Sequence, residues 1–278
     1  AALAGQSVPY FEIVVVDDGS AEKAAVVAAV GTEPRARLVR TGGRGPAAAR
    51  NAGAREALGA ILCFTDDDCE PSATWIAALV AAIEHGAAAA AGPTLNARPE
   101  SSWATASQAI VDHVTEATLE RATGRVGFVP SCNLACRAEV LSAVPFDERF
   151  PLAAGEDRDW CARLAERGLS ISFTAGARVE HRPRLTLGGF WRQQVRYGRG
   201  AWRFRRAAAG RPGLAPPRYY ARLLGRGFAR GPRAGALVCL AQLAVALGLV
   251  AEAVGDLRTR RPTAHVAGRS TTGRDERP

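Results

Sequence analysis

Phe64-Thr65-Asp66-Asp67-Asp68-Cys69-Glu70-Pro71 decides the reading of this chain. The β-prone apolar run Ile61-Leu62-Cys63-Phe64 ends abruptly in three consecutive carboxylates. Burying adjacent like charges is costly unless a cation or hydrogen bonds compensate. At the carboxyl end of a strand, alternate carboxylates offer hard oxygen ligands to Mg²⁺ or Mn²⁺, with a phosphate as co-ligand. Taken alone, the triplet reads equally well as a solvated turn before the next helix. The surrounding pattern has to decide.

Upstream, Glu12-Ile13-Val14-Val15-Val16 is a second β-branched run that ends in acid, Asp17-Asp18-Gly19-Ser20. A helix is expected over residues 21–30, a strand over 37–40, and a flexible loop over Thr41-Gly42-Gly43-Arg44-Gly45. Pro46 suits the first turn of a helix running towards Leu58. Residues 61–65 read as a strand and 74–85 as a helix. Strands alternating with helices at this spacing argue for a parallel α/β sheet. Ligands bind such sheets at the carboxyl ends of strands, where both acidic loops sit. Further on, residues 108–123 and 156–167 read as helices, the second from the spacing of Trp160, Cys161, Leu164 and Ala165. Residues 169–173 and 177–179 read as short strands.

The formal net charge of +9 is not spread evenly. Residues 1–181 carry 16 basic and 23 acidic side chains, whereas residues 182–233 carry 14 arginines and no acid. The basicity belongs to one stretch and does not describe a uniformly nucleic-acid-like surface. Within it, residues 188–206 interleave aromatics with arginine, and Pro212, Pro216 and Pro217 mark a linker. Residues 234–251 then run for 18 residues without a charge, at the lower limit for spanning a bilayer. The expected organisation is a catalytic-type α/β domain over 1–206 and an Arg- and Pro-rich linker over 207–233. An apolar helix able to meet a membrane follows over 234–255, then a disordered tail over 256–278. The six cysteines show no CxxC spacing and read as reduced packing residues. The chain holds no methionine, and its first residues have neither a basic n-region nor an apolar h-region. Ala1 therefore reads as a position inside a longer parent protein.

Six motifs occur in series: Val16-Asp17-Asp18-Gly19-Ser20, Gly45-Pro46-Ala47-Ala48-Ala49-Arg50-Asn51-Ala52-Gly53, the stretch 64–71, Cys132-Asn133-Leu134-Ala135-Cys136-Arg137, Phe146-Asp147-Glu148-Arg149-Phe150 and Gly155-Glu156-Asp157-Arg158-Asp159-Trp160. Each is weak alone, but in this order they resemble glycosyltransferase family 2 over residues 3–205. The resemblance implies a GT-A fold, a Rossmann-like, mostly parallel mixed sheet flanked by helices, here with a C-terminal helical extension. Family members begin with a strand and helix of which residues 1–9 resemble only the helix tail, so the first strand is expected to be missing.

The same resemblance implies roles. Asp17 and Asp18 would contact the base or ribose, where a carboxylate can accept from a ring N–H or a hydroxyl. Arg50 would contact nucleotide or phosphate, with helix-surface packing as its alternative. Asp66 and Asp68 match the DxD pair that holds Mg²⁺ or Mn²⁺ against the diphosphate of a nucleotide sugar. Asp67 is grouped with the nucleotide-sugar contacts while pointing away from the cation. His181 would complete the metal shell, or is a surface histidine. Asp157 matches the general base, although acids at a helix start are also favoured by the helix dipole. The implied activity is inverting transfer of a sugar from a nucleoside diphosphate to an acceptor hydroxyl in envelope glycan or glycolipid synthesis. A glycan, lipid-linked or small-molecule acceptor fits, at the cytoplasmic face of the cell membrane, with no nucleic-acid partner. Residues 193–197, Gln-Gln-Val-Arg-Tyr, occupy the place of a QxxRW motif with tyrosine for tryptophan, which argues against processivity. The alternatives are a non-catalytic nucleotide-sugar-binding module and an arginine-rich nucleic-acid-binding arm.

Overall fold

The computed structural model describes residues 2–208, 211 and 213–259. The first half alternates as the periodicity predicts: β1 (Ile13–Asp17), α1 (Lys23–Gly31), β2 (Ala36–Arg40), α2 (Pro46–Glu56), β3 (Ile61–Phe64), β4 (Cys69–Pro71) and α3 (Trp75–Glu84). There follow β5 (Ala89–Ala91), β6 (Thr94–Asn96), α4 (Ser102–Thr118), β7 (Leu119–Glu120), β8 (Arg125–Val126) and β9 (Leu134–Arg137). The chain continues through α5 (Ala138–Ala143), α6 (Glu156–Glu166), β10 (Ile171–Phe173), β11 (Val179–His181), α7 (Leu187–Ala207), α8 (Pro217–Ala229) and α9 (Pro232–Thr259).

β1 and β2 pair in parallel, as the crossover through α1 requires. The main sheet runs β3-β9-β5-β10-β8-β7, and a smaller one runs β4-β11-β6. These sheets are mixed. β9 lies antiparallel to both β3 and β5, whereas β10 pairs with β5 in parallel. The expectation of a mostly parallel sheet is corrected here. Local pattern gives an element's type but not its partner, and β9, reached only after the excursion through α4, inserts running the other way. Helix α4 also begins earlier than its apolar spacing suggested, because the Ser101 side chain caps it by accepting from the Ala104 N–H at 3.3 Å. It ends at Thr118, and residues 119–120 turn into β7.

Two packed cores position the site. On one face, Trp160 of α6 stacks on Phe146 at 5.3 Å, and its indole N–H donates to the Val144 carbonyl at 2.7 Å. On the other, the Trp75 indole donates to Asn133 Oδ1 at 2.8 Å. Asn133, fully buried, passes its own amide hydrogens to the carbonyls of Ala177 and Pro93. One side chain thus ties three segments that would otherwise bury unpaired carbonyls. Gly92 allows this convergence, since a Cβ there would sit 2.0 Å from the Ala177 oxygen.

The stretch expected to be a linker carries α8, which packs against α4 and α9. Ahead of it Arg211 is buried and pairs with Asp159 at 3.1 Å and Glu166 at 3.0 Å. The prolines thus start a helix: Pro217 stands in the first turn of α8, where a missing N–H costs nothing. Helices α7 and α9 cross at backbone contact, a Cβ on Gly198 falling 2.0 Å from the Val245 oxygen and one on Gly248 2.1 Å from the Val195 oxygen. Arg199 and Arg203 of α7 both hold Glu252 of α9, at 2.6 Å each. α9 is the one helix among the described residues long and apolar enough to cross a membrane. It buries Ala234, Val238, Ala241 and Ala244 and leaves Leu243, Leu247, Val250, Val254 and Leu257 exposed. The expected tail lies outside the described residues from 260 onward, while residues 256–259 belong to α9.

Candidate active site

The site lies in a cleft, about 1950 Å³ over its whole extent, that runs from the N-terminal segment and β1 past the carboxyl end of β3 and the start of α6 to α4, α7 and α8. Its centre is Arg50, on α2. Its guanidinium donates to Glu156 Oε1 at 2.9 Å, reaches Asp66 Oδ1 at 3.6 Å and lies 5.6 Å from the Phe146 ring centroid. A single arginine therefore joins the strand-end acid to the acids that open α6. Helix-surface packing does not describe it, since its side chain is only 14% exposed and its charge is fully engaged.

Asp66 and Asp68 flank the exposed Asp67, which makes no hydrogen bond or ion pair among the described residues. Burial pushes the Asp66 carboxyl up; Arg50 opposes this and the neighbouring Asp68 charge adds to it. Asp68 is held below the ordinary carboxylate range, chiefly by its hydrogen bond with His181, whose Nε2 lies 3.1 Å from Asp68 Oδ2. The ligand atoms of Asp68, Cys69 and His181 all lie within 4.8 Å of one another. Carboxylate oxygen and imidazole nitrogen suit Mn²⁺ or Mg²⁺. The softer Cys69 thiol is directed at Asp68 Oδ1, 3.7 Å away. The donors of Asp68 and His181 suit a divalent cation, while the Asp66 carboxylate, which faces Arg50, stands outside the group that these two form.

Asp157 stands in the first turn of α6, half-buried, accepting from the Arg158 N–H at 2.7 Å. Desolvation and the adjacent Glu156 charge push its carboxyl up to about 7, against the pull of Arg50 and of the Arg158 and Ser131 N–H groups. Glu156 is 3% exposed, and its Oε2 has no partner. Tyr197 of α7 borders the same space, its phenol pushed up by burial and then by the Asp157 charge. Asp159, by contrast, faces away from the chemistry and is held by Arg163 at 2.6 Å and Arg211 at 3.1 Å. Glu156 was legible in the sequence only as a helix-start acid; no pattern distinguishes it from Asp159.

The other acidic loop is built differently. Asp17 Oδ1 accepts from the N–H groups of Ser20 at 2.8 Å and Gly19 at 3.2 Å, and the Ser20 N–H is the main cause of its lowered pKa. Asp18 Oδ1 accepts from the Thr41 hydroxyl and from the N–H groups of Gly43 and Arg44, while Oδ2 accepts from the Gly45 N–H at 2.6 Å. Burial raises its pKa, but these hydrogen bonds together outweigh it and hold the group low. Asp18 thereby fixes the 41–45 loop, and Gly45, at φ +94°, sits so close to Pro151 that a Cβ would fall 2.6 Å from its oxygen. Asn51 seals the same corner, donating to the Phe146 carbonyl at 2.9 Å and accepting from the Phe146 N–H at 2.9 Å.

Residues 1–144 match Glycosyl transferase family 2, and the chain belongs to that family. Glycosyltransferase AglE of Haloferax volcanii is 27% identical over 194 residues, 68% of this chain and 62% of the relative. The pre-mycofactocin glycosyltransferase of Mycobacterium tuberculosis is 28% identical over 195 residues, 68% of this chain and 41% of the relative. The chain thus spans less than two thirds of either relative's length. A mannosyltransferase from Pyrobaculum calidifontis, solved in complex with GDP-Man and Mn²⁺, superposes with a TM-score of 0.57 at 22% identity over 93% of this chain and 74% of that one. The fold is GT-A.

Proposed function

We propose that this chain carries the catalytic centre of an inverting glycosyltransferase that moves a sugar from a nucleoside diphosphate to an acceptor hydroxyl. The observation that carries the reading is the convergence on Arg50 of the β3-end carboxylate Asp66 and the α6 acids Glu156 and Asp157. A leaving-group site and a proton acceptor thereby share one cleft. Asp157 takes the proton of the acceptor hydroxyl, whose oxygen attacks the anomeric carbon as the diphosphate leaves. A carboxyl raised to about 7 suits this work, because it is a stronger base than an ordinary carboxylate and about half of it is ionised at neutral pH. Asp68 and His181 would hold Mg²⁺ or Mn²⁺, which when bound neutralises negative charge on the diphosphate. Asp17, Asp18 and Asp67 serve the donor side. The first two shape the loops against which the nucleoside rests, and Asp67 offers a free carboxylate at the rim.

The acceptor belongs, on this reading, to envelope glycan or glycolipid synthesis at the cytoplasmic face of the membrane. The exposed apolar stripe of α9 supports this, and its packing against α7 through Gly198 and Gly248 favours side-on contact over spanning. Metal-dependent release of nucleoside diphosphate from a panel of nucleotide sugars, with and without acceptor, tests the proposal. No release with any donor would leave a nucleotide-sugar-binding module.

A further inference from the structure

The cleft has a second arm. Beyond Asp157 it continues between α4, α7 and α8 and reaches α9. Ile110, Val111 and Val114 of α4 border this arm at the spacing of one helix face, and Tyr197 and Ala201 of α7 border it one turn apart. Tyr220 and Leu223 of α8 and Val245 of α9 complete the wall. Apart from Leu223, these side chains are only half-buried, although they lie on four helices that pack together. Packed helices ordinarily bury such faces against one another. Here apolar surface is left beside a cavity, and covering it with hydrocarbon is favourable in proportion to its area.

Charge separates this arm from the donor side. Asp17, Asp18, Asp66, Asp67 and Asp68 border the donor half, whereas among the described residues no carboxylate of α4, α7, α8 or α9 borders the cleft. The acids of these helices are engaged elsewhere: Asp112 and Glu116 hold Arg230 and Arg226, and Glu252 holds Arg199 and Arg203. Of the arginines nearby, Arg205 donates to the carbonyls of Ala201 at 3.2 Å and Gly213 at 3.4 Å, Arg158 lies 4.8 Å from the Phe204 ring centroid, and Arg196 is exposed. Sugar hydroxyls buried without carboxylate acceptors are costly, whereas a hydrocarbon chain needs no partner. Tyr197, whose phenol feels the Asp157 charge, marks the end of the arm nearest the base. At the other end α9 gives Val245 to the arm and Leu243, Leu247 and Val250 to the outside, so a chain leaving the arm meets apolar surface again.

We propose that this arm receives the hydrocarbon chain of an amphiphilic acceptor, whose hydroxyl is thereby brought to Asp157. The acceptor is then a lipid, and not a free glycan or a soluble sugar. The inference rests on the reading of Asp157 as the base, while occupancy of the arm is measured without any transfer.

The test titrates hexyl, octyl and decyl glucosides, each below its micelle concentration, into the full chain by calorimetry with no donor present. Affinity is expected to rise about threefold for each methylene buried. Val114→Trp, which fills the arm, is expected to weaken decyl glucoside at least about tenfold, with folding checked by thermal unfolding. Val114→Ser, a smaller change, is expected to weaken it about threefold. Leu247→Glu, on the exposed stripe of α9, controls for alkyl binding to the outer surface and is expected to leave the affinity unchanged. The proposal is overturned if all three chain lengths bind alike, if both Val114 variants bind as the wild type does, or if Leu247→Glu is the variant that abolishes binding. Failure of the transferase reading appears separately, as absence of nucleoside diphosphate release from every donor. Binding independent of chain length with release intact would leave a transferase for a soluble acceptor.

Discussion

The two acidic loops of this molecule look alike in sequence and do opposite things in space. Asp17-Asp18 and Asp66-Asp67-Asp68 each follow a β-branched or apolar strand, and each invites assignment as a ligand-binding cluster. Yet the first pair is satisfied from within. Asp18 alone accepts four hydrogen bonds from the 41–45 loop, and Asp17 accepts two from its own turn. In the second, Asp66 and Asp68 keep side chains 45% and 42% exposed, each facing one cationic or imidazole partner across the cleft. A carboxylate that builds a loop and one left half-exposed at a cleft are the same letter. What separates them is the supply of nearby N–H groups, here those of Gly19, Ser20, Gly43, Arg44 and Gly45.

The largest effect is expected at Asp157, the carboxylate proposed as the base. Asp157→Asn should keep the nucleotide-sugar affinity and lower transfer by about 10²- to 10⁴-fold, the range of general base catalysis. In the wild type, kcat/KM should rise with pH and level off above about 7, because only the ionised carboxyl accepts the proton. The stability sign is the reverse. A carboxyl raised in the folded state favours folding least once it is ionised, so the destabilisation grows from pH 4 towards 7. Asp157→Asn should therefore melt higher than wild type at pH 8 and alike at pH 4. Transfer at the wild-type rate would reduce Asp157 to a helix-start acid.

Next in size is Asp68→Ala, expected to lower metal-dependent nucleotide release by about 10²- to 10³-fold, corresponding to the several kcal/mol attributed to a bound cation. The melting temperature should hold, since Asp68 is half-exposed and builds no loop. Release that stays equally responsive to added Mn²⁺ in the variant would remove Asp68 from the metal set.

The fold was largely legible because its first half obeys local rules: strand runs end in acid or glycine, Pro46 opens a helix, and α6 shows helical spacing. Partner choice was not, as β9 demonstrates by inserting antiparallel between β3 and β5. The site was legible in part. Asp66, Asp68, His181 and Asp157 border one cleft, while Arg50 emerged as the hub between Asp66 and Glu156 only once α2 was placed against α6. The linker misled because proline and arginine also start and decorate helices, and nothing local reveals that Arg211 would be buried against Asp159.

Asp18→Asn sharpens the comparison from the other side. Both oxygens of Asp18 accept from N–H or O–H groups, so whichever way an amide is turned, its NH₂ faces a donor. Leaving such groups opposed should cost about 1–3 kcal/mol of stability, read by urea unfolding, with turnover lowered mainly through KM. Unchanged stability with nucleotide binding abolished would instead make Asp18 a ligand group, and the contrast between the loops would collapse.

The smallest effect is expected next door, at Asp17→Asn. Here Oδ1 accepts from the Gly19 and Ser20 N–H groups, the Ser20 side chain adds a hydrogen bond, and Oδ2 lies 3.6 Å from the Arg40 guanidinium, too long for a hydrogen bond. An asparagine can keep its carbonyl oxygen on the two N–H groups, so it loses the charge but neither backbone hydrogen bond. Asparagine is also at home in such turns. The melting temperature should fall by no more than about 2 °C, less than for Asp18→Asn, and the loss should shrink with added salt as the Arg40 attraction is screened. Measuring the two variants side by side by thermal unfolding decides the matter. Equal losses would mean that the loop depends on the charge of the pair and not on the number of oxygens in use, because only the oxygen count differs between these neighbours once each has lost one charge.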